Sequence, residues 1–178
     1  PYEFAYLEGE SFDDYLHDMR IVQDFARLNR QAIADDICKN LKFTELESFS
    51  TVHNYIDVEN KILRKGAVSA QAEEKIIIPL NMRDGCLICN GKGNADWNYS
   101  APHGAGRAYN RADTVNSFTL SQYKREMKGI YSTSISRETL DECPMAYKNS
   151  QTIIDAIEPT AKIAERLTPV YNYKAGAR

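Results

Sequence analysis

Three short apolar runs, residues 61–70, 75–80 and 85–90, follow one another closely, rich in Ile, Val and Leu and broken by Pro79 and the turn residues of 81–85. Branched side chains in runs this short favour strands, and Pro79 withholds a ladder hydrogen bond, so the spacing predicts three strands forming one sheet. Upstream, Phe12, Tyr15, Leu16, Met19, Val22, Ala26, Ile33 and Ile37 recur at helical spacing over residues 11–40, with Ser11 as N-cap and Asp13 and Asp14 in the first turn. The stripe is expected in the core, with a bend or break allowed where it is interrupted at Asn29 and Arg30. His17 lies off the stripe and is expected exposed. Helices are further predicted over 119–128 and 150–157, a strand over 130–134 and an extended tail over 161–174. A chain that must bury both kinds of element is α+β, a mixed sheet with packed helices.

With 178 residues and 43% hydrophobic content, residues 1–178 read as a single unit with its own core. A net charge of −3 and a pI near 5.7 exclude bulk electrostatic attraction to nucleic acid. Any such contact must come from a local patch, for which Lys61, Arg64, Lys65, Arg83, Lys92, Arg107 and Arg111 are available. Taken singly, most of these, Lys61 and Lys92 above all, suit a solvated charged face. The cysteines Cys38, Cys86, Cys89 and Cys143, with no secretory segment and no long apolar run, suggest a reduced, cytoplasmic protein with no membrane partner. Cys86-Leu87-Ile88-Cys89 has metal-ligand spacing, but it lacks a second pair and sits in an apolar run, so both thiols are assigned to the core.

The chemistry concentrates in Ser100-Ala101-Pro102-His103-Gly104-Ala105-Gly106-Arg107. Pro102 restricts the backbone before it, and the two glycines permit a close ligand approach, so His103 is presented on a shaped loop. Residues 108–113 are compatible with a helix whose N-terminus would favour an anion, with Arg107 and Arg111 on one face as a phosphate-binding pair. Val52-His53-Asn54 places a second histidine where a strand would end; by its residues alone it is a turn histidine or a ligand. The Gly91-Lys92-Gly93 element is weak as a nucleotide signal. Trp97 suits either base stacking or plugging of its loop against the core, and the plug is preferred.

Five segments together carry a resemblance: 100–107; Val52-His53-Asn54-Tyr55; Arg64-Lys65-Gly66-Ala67; Ile78-Pro79-Leu80-Asn81-Met82-Arg83-Asp84-Gly85; and Asp141-Glu142-Cys143-Pro144-Met145-Ala146-Tyr147-Lys148. Their text and order resemble the C-terminal part of the RtcB-type RNA ligase (tRNA-splicing ligase) family. The resemblance implies a GTP- and Mn2+-dependent ligase, or part of one. It would join RNA 3′-phosphate or 2′,3′-cyclic phosphate ends to 5′-hydroxyl ends, in tRNA splicing or RNA repair. It implies that His103 is the nucleophile that carries GMP, that Arg107 stabilises the transferred phosphoryl group, and that Gly104, Ala105, Gly106, Tyr147 and Lys174 lie at the guanosine nucleotide. His53 would be a manganese ligand, and Asn54, Lys65 and Arg111 would contact RNA or phosphate. Two departures from the family text are Leu63, where a histidine is common, and the ending Lys174-Ala175-Gly176-Ala177-Arg178, where Lys-Gly is usual. The family's aspartate, cysteine and further histidine metal ligands lie upstream of the matching region, and nothing here matches them. The chain therefore reads as a fragment or processed piece of a longer protein, expected to lack ligase activity alone. Two other readings are a non-catalytic nucleotide- or phosphate-binding module, and a metal-dependent phosphoesterase using His53 with carboxylates such as Asp57 and Asp84.

Overall fold

The computed structural model of the chain describes residues 6–174. It divides into two compact units: residues up to Ser50 with Tyr55–Leu63, and Thr51–Asn54 with the described residues from Arg64 onward.

The first unit is dominated by helix α1, Gly9–Leu41, which no proline or internal glycine interrupts. The break that the sequence allowed at Asn29 and Arg30 is absent, because neither residue removes a backbone donor or clashes with the preceding turn. The start also differs from expectation: Glu8 occupies the N-cap position without a side-chain bond, and Ser11 lies inside the helix. At the other end Lys42 turns left-handed with φ 55°, and its N–H bonds back to the carbonyls of Cys38 and Lys39. Of the predicted core stripe only Leu16 is buried, while Val22, Ile33 and Ile37 are exposed. Spacing correctly located the helix, but the described residues offer most of the stripe no cover. No helix among the described residues is long and apolar enough to cross a membrane.

The other elements are β1 (His53–Asp57), β2 (Ile62–Ser69), β3 (Lys75–Asn81), β4 (Gly85–Gly91), β5 (Ser100–Pro102), helices α2 (Arg111–Ser117) and α3 (Leu120–Glu126), β6 (Tyr131–Ser132), α4 (Ser150–Ala156), β7 (Ala161–Leu167) and β8 (Tyr171–Asn172). The architecture is α+β, as the sequence predicts. Its three apolar runs do become strands, but not one sheet: β2 lies between β1 and β5, whereas β3, β4 and β7 form a separate antiparallel sheet. In the latter, Ile76, Ile78 and Leu80 alternate inward along β3, and Leu87 and Cys89 of β4 stand opposite Ile78 and Ile76.

The core joins the two sheets. Val68 of β2 and Ala101 of β5 pack with Ile76, Ile78, Leu87 and Cys89, closed by Ile153 and Ile157 at the end of α4. A second cluster gathers Met82, Tyr123, Met127, Leu140, Cys143 and Ala146. Helix α3 is fixed there by a capping box in which Thr119 and Gln122 satisfy each other's backbone donors. Tyr147 packs against both clusters, so its ring is held where they meet. Cys89 is core as expected, its thiol pushed up to about 11 by burial, while Cys86 is only half-buried. Trp97 does not plug its loop and is 57% exposed.

Candidate functional site

The loop bearing His103 is held on both flanks. Strand β5 pairs antiparallel with β2, with Pro102 opposite Ala67 and Ala101 opposite Val68, and the His103 N–H continues the line toward the Gly66 carbonyl at 3.4 Å. Pro102 has no N–H to extend the ladder, and the chain then turns away. Ala105 donates to the Pro79 carbonyl at 3.0 Å, tying the loop to β3. Gly106 takes φ 69°, a conformation costly for any side chain, and its carbonyl accepts from the Lys148 N–H at 3.1 Å. Arg107 and Tyr147 then form an antiparallel bridge. The 103–107 loop is thus clamped between β2, β3 and residues 144–148.

This framework stacks the His103 ring on that of His53, with centroids 5.1 Å apart and planes 25° from parallel. His53 opens β1 rather than ending a strand as predicted. Nδ1 of His103 is buried without a hydrogen-bond partner, which is costly unless function uses the ring. Both imidazoles line a cavity of about 740 Å³ with Pro79, Asn81, Cys86, Gly104, Ala105, Gly106, Arg107, Tyr147, Asn172 and Lys174. That volume lies within the usual range for a small-molecule site.

Arg107 and Arg111 do not share a helix. Residues 107–110 are not helical, because the Asn110 side chain caps α2 and starts it at Arg111. The two guanidinium groups nevertheless converge on one acidic pair. Arg107 donates from Nη1 to the Asp141 carbonyl at 2.8 Å and from Nη2 to Glu142 Oε1 at 2.7 Å; Arg111 Nη1 reaches the same Oε1 at 2.7 Å and also pairs with the Asp141 carboxylate. Glu142 Oε2 accepts the Tyr147 hydroxyl at 2.7 Å and faces Lys174 Nζ at 3.4 Å. Arg107 also lies over the Tyr147 ring, 5.0 Å from its centre.

Burial alone would raise the Glu142 carboxyl. The Tyr147 hydrogen bond and the charges of Lys174, Arg107 and Arg111 outweigh it and hold the group down to about 2. Burial and then Glu142 push the Tyr147 phenol up to about 12, so the ring is neutral and its proton is donated to the carboxylate.

His53, His103, Gly104, Ala105, Gly106, Arg107, Tyr147 and Lys174 therefore share one cavity. Asn54, Lys65 and Arg111 do not line it. Asn54 sits left-handed at φ 54°, with Oδ1 accepting the Gly66 N–H at 2.5 Å, and Lys65 is exposed on β2. Most of the residues available for a basic patch are ion-paired or buried. Arg64 is buried, donating to Ser100 Oγ at 2.8 Å, while Arg83 pairs with Asp84 and Glu126, and Lys92 with Glu158. Sequence reasoning assigned no role to Asp141 or Glu142. The signal was an acidic pair placed just before Tyr147 in a motif already singled out. Among the described residues no group of three His, Cys, Asp or Glu side chains is placed to hold a metal ion.

The fold and cavity define an α+β protein in which two stacked imidazoles share a cavity with an arginine, a tyrosine and a lysine. The family model for tRNA-splicing ligase RtcB matches residues 2–175, and the chain belongs to that family. It is 32% identical over 183 residues to the RNA-splicing ligase RtcB of Escherichia coli K12, a match covering 93% of this chain and 45% of that protein. It is 26% identical to the tRNA-splicing ligases RtcB of Aeropyrum pernix (88% of this chain, 40% of that one) and Pyrobaculum aerophilum (93% and 43%). The chain thus spans less than half the length of these curated relatives.

Proposed function

We propose that this chain supplies the nucleophile and nucleotide pocket of a GTP-dependent RNA ligase. The supporting observation is His103, whose buried Nδ1 lacks a partner in a cavity shared with Arg107, Tyr147 and Lys174. An imidazole nitrogen of His103 attacks the α-phosphorus of GTP. An N–P bond forms, the α–β phosphoanhydride breaks, and pyrophosphate leaves. The histidine-bound GMP then passes to the RNA 3′-phosphate, breaking the N–P bond. The 5′-hydroxyl of the second RNA end attacks that activated phosphate, loses its proton and releases GMP. Arg107 spreads positive charge beside the reacting phosphoryl group, and Tyr147 and Lys174 hold the guanosine end.

His53 is the residue this chain would contribute to a manganese site. Mn2+ supplies Lewis-acid stabilisation of phosphoryl oxygens, but the described residues do not complete a site for it, and none of the steps above runs through it. The activity is tRNA splicing or RNA repair, in the cytoplasm, on RNA bearing 3′-phosphate or 2′,3′-cyclic phosphate and 5′-hydroxyl ends, with the remaining ligands supplied by the rest of a longer ligase.

The test is peptide mass spectrometry after incubation with GTP and Mn2+, using this chain and the longest open reading frame that contains it. A guanylyl adduct on His103 of the longer protein, abolished by His103→Ala, is the expected result. The 178-residue chain alone is expected to give no sealed RNA in a gel assay. Absence of an adduct in a folded longer protein overturns the reading.

A further inference from the structure

Glu142 does not line the cavity, yet three residues that do are bound to it. Its Oε1 takes Arg107 and Arg111, each at 2.7 Å, and its Oε2 takes the Tyr147 hydroxyl at 2.7 Å and Lys174 at 3.4 Å. A carboxylate offers about four lone-pair sites, so this one is fully used. Its partners come from four separate parts of the chain: the 103–107 loop, the first turn of α2, the segment after residue 146, and the residues following β8. The side chain is only 14% exposed, which keeps water from replacing these partners cheaply.

Such an arrangement has a cost for anion binding. Two guanidinium groups and an ammonium face Asp141 and Glu142, so most of the positive charge that could attract phosphate is already matched. A site built only to attract phosphate would leave those cations unmatched.

We propose that Glu142 is a positioning residue of the nucleotide pocket, setting Arg107, Tyr147 and Lys174 in the geometry that a guanosine nucleotide requires while giving up part of the attraction for phosphate alone. The proposal rests on the nucleotide-pocket reading above. Without the carboxylate, Arg107 keeps only the Asp141 carbonyl and a longer 4.0 Å approach to the Asp141 carboxylate, while Tyr147 and Lys174 lose their common anchor.

The test compares two probes, GTP and inorganic tripolyphosphate, by isothermal titration on the longest open reading frame that contains this chain and on its Glu142→Gln variant, with melting followed by circular dichroism. Glu142→Gln is expected to weaken GTP binding about tenfold or more, because hydrogen-bonded charge pairs are broken. The same variant should bind tripolyphosphate as tightly as the parent or more tightly, since Arg107 and Lys174, which line the cavity, lose their carboxylate partner. Glu142→Asp keeps the charge but is too short to span all four partners, so it should weaken GTP binding less, and it serves if the glutamine variant fails to fold. Equal GTP affinity in parent and variants overturns the proposal and leaves the pocket reading intact. Parallel loss of both probes also overturns it, since Glu142 would then be a brace for the fold alone. A parent that binds tripolyphosphate but not GTP overturns the nucleotide reading and the proposal together.

Discussion

Asp84 and Glu142 are both carboxylates held in the ionised form, by different partners. Asp84 is held well below the usual carboxylate range chiefly by its hydrogen bonds with Arg83, then by Ser150 and Asn81, against the opposing effect of burial. A group whose folded value is depressed contributes stability that is complete above its unfolded value and is lost as pH falls toward the folded one. For Glu142 that window runs from 4.5 down to about 2. Melting temperature should therefore fall steeply on acidification through this range, and the gap between the parent and Glu142→Gln should narrow as pH drops, measured by calorimetry at several pH values. A gap that stays constant with pH would show that the Glu142 charge contributes nothing to stability. His103 stood out in the sequence because a histidine among small residues has no packing role, whereas His53 stood out only through the family resemblance. Glu142 did not, because what distinguishes it is the convergence of four distant segments, which no local pattern records.

At the level of elements, β3 and β4 were legible almost to the residue, since short branched runs bounded by turn residues have few other conformations available. Their division from β2 was not legible, because apolar content gives a strand's tendency and not its hydrogen-bond partner. The start of α2 was misjudged for a related reason: Asn110 is a strong cap, and it outweighed the helix-compatible residues before it. The turn between β3 and β4 carries a sharp constraint. Gly85 has φ 78°, and a Cβ there would stand 1.9 Å from the Leu167 carbonyl oxygen at the end of β7. Gly85→Ala should displace β7 from β4 at that end and expose Cys86, which lines the cavity. Hydrogen exchange of the Arg166 and Leu167 amides would report the loosening, and unchanged protection would count against it.

For the whole molecule, the decisive observation is where the apolar residues lie. Apart from Leu16, the buried hydrophobic residues among those described all lie at Val68 or later. Ile78→Ala, at a fully buried position, should cost about 2–5 kcal/mol. Phe25→Glu, on a helix position 70% exposed, should change stability by no more than about 0.5 kcal/mol, as read by chemical denaturation. Helical spacing placed α1 correctly but did not show which surface, if any, would receive its stripe, because periodicity reports direction around an axis and nothing about neighbours. Since the apolar side of α1 is already in contact with water in the folded chain, melting that helix hydrates little new hydrocarbon. The heat-capacity increment on unfolding should therefore fall below the ~12–15 cal/mol/K per residue typical of globular proteins. A calorimetric trace would then record the chain as thermodynamically smaller than its length.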